Sequence, residues 1–198
     1  MKSKKGLLIL LGVIVIIGGS FWAVKTYVLA PERPATQAED VIQTIGQVAY
    51  DLELYEAQEA YLEAVEGLQE AGSEEEEQAT QALDVARVKL ENMGLGRTSI
   101  EMIESVGEPD ATLIEMKAGE PVWVYAMVDQ KDVNRLRIGK RVDVTTGEAP
   151  DKIYPGEIRS MDRVIRAGTK RIKVRSVVEN PDGHLRPNLY VNVKIKKD

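Results

Sequence analysis

The chain has 198 residues, 43% of them hydrophobic and 29% charged, and a formal net charge of −6. That length admits one membrane segment plus one or two small folded domains. The absence of cysteine excludes disulfides, thiolate metal sites, a cysteine nucleophile and a lipidated N-terminal cysteine.

Charge is unevenly spread. Residues 39–92 carry 15 acidic and 2 basic side chains, whereas residues 113–198 carry 12 acidic and 18 basic. The plain reading is two differently solvated surfaces. The functional reading places the basic half near an anionic surface, either lipid or an acidic protein.

Residues 6–24 run for 19 positions without a charge, nearly enough to span a hydrocarbon core of about 30 Å at about 1.5 Å per residue. Continuing to Ala30 supplies the spare length, because Lys25 can snorkel to the interface. Trp22 and Tyr27 stand where an aromatic belt belongs. Lys2, Lys4 and Lys5 predict a cytoplasmic N-terminus and an exported remainder. A cleaved signal peptide is the competing reading. Pro31 directly after Ala30 disfavours cleavage there, so the segment reads as a retained single-pass anchor in the inner membrane.

After the proline-bounded exit at Pro31 and Pro34, residues 39–71 hold no proline. Ile45, Val48, Leu52 and Tyr55 are spaced 3, 4 and 3, the stripe of a helix, and Tyr61, Val65 and Leu68 continue it. Gly72 is the expected C-cap. Ser73 and Glu76 form a capping-box pattern that opens a second helix. Its seam is Ala79, Leu83, Ala86, Leu90 and Met93, and Gly94 closes it. So short a break predicts two antiparallel helices. Thr98 and Glu101 form a further capping-box pattern, which predicts a short helix over 99–106.

From Val122 the period changes. Strands are expected at 122–128, 141–146, 154–164, 171–178 and 190–195, with one more around 113–116 and a helical turn or two over 129–137. Gly147 with Pro150, Gly168, and Asn180-Pro181-Asp182-Gly183 supply the turns. Short strands at this spacing suggest a small barrel or sandwich. The predicted fold class is α+β: an N-terminal transmembrane helix, an antiparallel α-helical hairpin, and a small, mostly antiparallel β-barrel.

The chain offers little chemistry. His184 is the only histidine and follows a turn, so no Ser/His/Asp arrangement can be assembled. Gly94-Leu95-Gly96 lacks the third glycine and the preceding strand of a dinucleotide loop. Glu74 to Glu77 could suggest a metal cluster but read more simply as carboxylates at a helix start. The methionines are scattered at apolar positions, which fits core packing. The basic residues lack an interleaved aromatic set for nucleic acid. No catalytic residue, cofactor, metal ligand or nucleic-acid site is expected, and an enzyme is not predicted.

Three stretches carry a family resemblance: Leu54 to Leu62 with Ala82 to Gly96, Val122 to Lys140, and above all Glu179-Asn180-Pro181-Asp182-Gly183-His184-Leu185-Arg186-Pro187. They resemble the periplasmic adaptors, or membrane fusion proteins, of bacterial efflux pumps. The heavy-metal-type adaptors of resistance-nodulation-division pumps are the most similar. The expected division is residues 1–30 as cytoplasmic tail and anchor, 31–38 as linker, 39–94 as hairpin and 95–121 as linker with a short helix, with the resemblance implying 122–198 as adaptor-type barrel. It implies an inner-membrane transporter as partner, with an outer-membrane channel and self-association as further contacts. Partner contact is expected at the hairpin tip, Gly72, Ser73, Glu74, Glu75 and Glu76. A structural turn is expected at Asn180, Pro181, Asp182, Gly183, Leu185, Arg186 and Pro187. Asn188 and Leu189 replace the family's glycine and methionine. The family's split lipoyl-like domain does not fit the short stretches flanking the hairpin. Hence a truncated membrane-tethered interaction or regulatory protein, or a periplasmic metal-handling chaperone, stands as an alternative function.

Overall fold

The segment 41–48, VIQTIGQV, is dense in β-branched residues, which fit a pleated surface better than a helix. In the computed structural model, which describes residues 41–165 and 168–196, Val41–Val48 is strand β1. This corrects the expectation of a helix from Glu39. The helical spacing of Ile45, Val48, Leu52 and Tyr55 is fortuitous: Ile45 is exposed whereas Val48 is fully buried. Gly46 has a steric role in β1, since a Cβ there would stand 2.8 Å from Val193 Cγ2 and 3.0 Å from the Tyr125 carbonyl oxygen.

The remaining strands are β2 (Val122–Asp129), β3 (Arg141–Thr146), β4 (Tyr154–Met161), β5 (Arg171–Val178) and β6 (Tyr190–Lys196). They close an antiparallel barrel in the order β1-β2-β5-β4-β3-β6. β1 joins β2 through pairs such as Gly46↔Ala126, and β6 through pairs from Val41↔Lys196 to Gln47↔Tyr190. The barrel expected within 122–198 therefore needs a strand from before the hairpin. Its interior is filled by alternating side chains, including Val124, Val142, Ile158, Val174 and Val193.

Between β1 and β2 lies a helical module: α1 (Leu52–Glu70), α2 (Glu76–Asn92) and α3 (Arg97–Val106). Asp51 caps α1, its carboxylate accepting from the Leu54 amide at 3.2 Å. The Ser73 capping box does not form. Residues 71–75 make the turn, and the Glu75 and Glu76 amides donate to the Gly72 carbonyl instead. Nor does a Thr98 box form, since α3 starts at Arg97 without a side-chain cap. The strand expected near 113–116 is replaced by a 3-10 turn at Ala111–Leu113. The helical stretch expected over 129–137 shortens to α4 (Gln130–Val133).

The seam expected on α2 is present where it meets α1. Ala86, Leu90 and Met93 are buried with Leu54, Ala57 and Tyr61, joined by Ile100 of α3 and by Trp123. Trp123 and Tyr125 project from the outer face of β2 and stack at 6.5 Å. β2 is thus covered on both faces, which accounts for its unbroken apolar run. The anchor expected at residues 6–24 lies outside the described residues. Among the described residues no helix is long and apolar enough to cross a membrane.

Candidate interaction site

The hairpin is bolted to the barrel by charge. Arg175 points outward from β5 into the seam between barrel and helices and is 1% exposed. Its Nε donates to Asp51 Oδ2 at 2.7 Å and its Nη1 to the Met93 carbonyl at 3.1 Å; Nη1 also pairs with Asp162. Lys173 donates to the same Asp51 oxygen at 2.8 Å and lies over the Tyr125 ring at 4.7 Å. One guanidinium therefore joins the start of α1, the end of α2 and the end of β4. Burial alone would raise the Asp51 carboxyl; the charge of Arg175 and the hydrogen bonds from Lys173 and Arg175 outweigh it and hold the pKa below the usual aspartate range. Burial likewise opposes charge on Arg175, and Asp51 and Asp162 overcome it, so its pKa is raised.

Two backbone contacts reinforce the bolt. The Arg163 amide donates to the Asn92 carbonyl at 2.8 Å. Gly94, at φ 89°, lies so close to β4 that a Cβ would fall 2.1 Å from the Met161 carbonyl oxygen. Sequence reasoning missed this network, because Asp51 and Arg175 are 124 positions apart.

The expected contact residues Gly72, Ser73, Glu74, Glu75 and Glu76 stand together, exposed, at the far end of the hairpin. The second group lies at the barrel mouth. Asn180 is buried, and its amide side chain exchanges two hydrogen bonds with the backbone of Leu185, at 2.9 and 3.0 Å. Gly183 turns the chain at φ 65°. Asp182 pairs with Lys152 and His184 and accepts from the Tyr154 hydroxyl at 3.2 Å. The Lys152 hydrogen bond, aided by His184, holds its carboxyl well below the usual range. Leu185 plugs the barrel core. Asn188 adopts φ 68°, a left-handed backbone that asparagine tolerates. Its amide donates to Val48 at 2.6 Å, tying the turn to β1. Among the described residues no group of three His, Cys, Asp or Glu stands close enough to hold a metal ion.

The barrel segment matches a family model. Residues 121–198 match the family described as "CusB-like, beta-barrel domain". This segment is a CusB-like β-barrel domain. Over 185 residues the chain is 27% identical to the cation efflux system protein CzcB of Alcaligenes sp. (strain CT14), covering 84% of this chain and 35% of that protein. It is 26% identical to the cobalt-zinc-cadmium resistance protein CzcB of Cupriavidus metallidurans, with the same coverage. The chain thus spans about a third of the length of these relatives. The crystal structure of ZneB from Cupriavidus metallidurans aligns over 80% of this chain and 99% of its own, at 14% identity and a TM-score of 0.42. The matched CusB-like segment stops short of β1, the sixth strand that closes its barrel.

Proposed function

We propose that this chain is the membrane-anchored adaptor subunit of a multi-component efflux system. Its anchor at residues 6–24 would hold it in the inner membrane with the N-terminus cytoplasmic. Its partner is an inner-membrane transporter, engaged by protein–protein contact; an outer-membrane channel and further copies of the chain are additional contacts. The observation that carries this reading is the CusB-like barrel at residues 121–198, and the similarity to cation efflux proteins over 84% of the chain supports it. The hairpin tip, Gly72 to Glu76, is the contact point for a partner. The Asn180 to Pro187 turn is structural: it seals the barrel mouth and holds β1. No catalytic step is assigned to the chain.

A photo-crosslinking residue at Ser73, activated in intact cells, tests the tip. The expected outcome is a discrete adduct with a membrane transport protein, a channel or a second copy. Labelling no stronger than from a site on the outer barrel surface would remove the tip from the interface.

A membrane-tethered interaction or regulatory protein is the second reading. It is favoured by one feature: among the described residues the segment between β1 and β2 contains helices and loops but no second sheet.

A further inference from the structure

The antiparallel order of the barrel sends the start of β1, β3 and β5 and the end of β2, β4 and β6 to one rim. Basic residues gather there. The β2–β3 connection carries Lys131, Arg135 and Arg137, and Arg171 and Lys196 stand at strand ends; they outnumber the Asp129, Asp132 and Asp162 of the same rim, where Asp132 pairs with Arg135. Among the described residues the side chains of Lys131, Arg171 and Lys196 form no ion pair. Apolar side chains stand exposed among these cations: Ile138 is 56% and Ile165 38% exposed, and both line one groove with Asn134. The opposite rim differs in charge. Its loops carry Glu148, Asp151 and Glu179, and its Lys152 is paired with Asp182.

We propose that this basic rim rests on the surface of an anionic phospholipid bilayer, with Ile138 and Ile165 at the headgroup level. Cations around exposed aliphatic groups are the composition of an interfacial contact, where acidic headgroups attract Lys and Arg and the apolar groups leave water. The tether length permits this contact. β1 begins at this rim with Val41, and 16 residues separate it from the apolar run that ends at Val24. Fully extended, they reach at most about 55 Å. Which rim faces the membrane rests on the anchored reading above; the charge and apolar exposure of the rim do not.

The chain has no native cysteine, so one introduced cysteine carries one fluorophore. The full chain labelled at Asn134→Cys, or at Ser73→Cys on the tip, is incubated with phosphatidylcholine vesicles and with vesicles containing 30% phosphatidylglycerol. Both vesicle types carry a headgroup quencher. The expected result is quenching at position 134 several-fold stronger with the anionic vesicles and little change at position 73. It weakens several-fold in 1 M salt, where the screening length falls to about 3 Å, and in the K131Q/R171Q/K196Q variant, whose circular dichroism serves as fold control. Equal quenching by neutral and anionic vesicles overturns the proposal and leaves the rim to an acidic protein. Vesicle association that survives a high-salt wash scores the anchor separately, so a failed anchor and a failed rim give different results.

Discussion

Arg175 occupies a position that its own strand pattern describes as outward. Lys173, Arg175 and Val177 alternate with Ile172, Val174, Ser176 and Val178, of which Ile172, Val174 and Val178 belong to the barrel core. From the sequence such an arginine reads as solvated, because nothing local announces that a helical module covers that face. Burying three charges is costly unless each is paired, and removing one partner of such a set costs about 3–5 kcal/mol. Arg175→Met should therefore destabilise the fold by about that amount in urea unfolding. It strands Asp51 and Asp162, whereas Arg159→Met, on an exposed pair with Glu157, should cost under about 1 kcal/mol. The pH dependence has a definite sign. The folded-state pKa of Asp51 lies below its unfolded value of 3.8, so the unfolded chain binds the extra proton first. The stabilisation is complete above that value and fades as pH falls through it and on through the folded pKa. The melting temperature should drop below about pH 4, and Asp51→Asn should lessen that drop while lowering stability at neutral pH. A wild-type and variant difference that stays constant from pH 7 to pH 3 would contradict this. At Gly94 the left-handed backbone and the Met161 carbonyl act together. Gly94→Ala should cost at least about 2 kcal/mol, as the left-handed conformation alone costs an L-residue about 1–2.

Among elements, the strands β3 and β5 were legible to the residue, because valine-rich alternation and flanking glycines act locally. The α2 seam was legible for the same reason. β1 was not. Its Ile42, Thr44, Gly46 and Val48 do alternate, but glycine and threonine hide the period, and the helical spacing into Leu52 and Tyr55 masks it further. What decides β1 is pairing with β2 and β6, strands about 80 and 150 positions away. The helix caps failed for a different reason: at residues 72–76 the Gly72 carbonyl takes the amides that Ser73 would have shaped. These findings separate the matched domain from the folding unit. Residues 121–198 expressed alone would leave β2 and β6 with unpaired edges. They should give no cooperative thermal melt, whereas residues 37–198, which include β1 and form one compact unit, should melt cooperatively. A sharp transition in the shorter fragment would show that β1 is an accessory strand.

At the scale of the whole molecule, the bolt at Arg175 ties the base of the hairpin to the barrel through Asp51, the Met93 carbonyl and Asp162. The turn at Asn180 to Pro187 was readable from residue types. The sixth strand and the buried ion network were not, since both depend on contacts far apart in sequence. The most direct test of the adaptor reading is a pull-down of the full chain from solubilised membranes after cross-linking in cells. The account predicts that an inner-membrane transporter is recovered in defined stoichiometry. Recovery of neither a transporter nor an outer-membrane channel, from membranes in which the chain itself is retained, would contradict it.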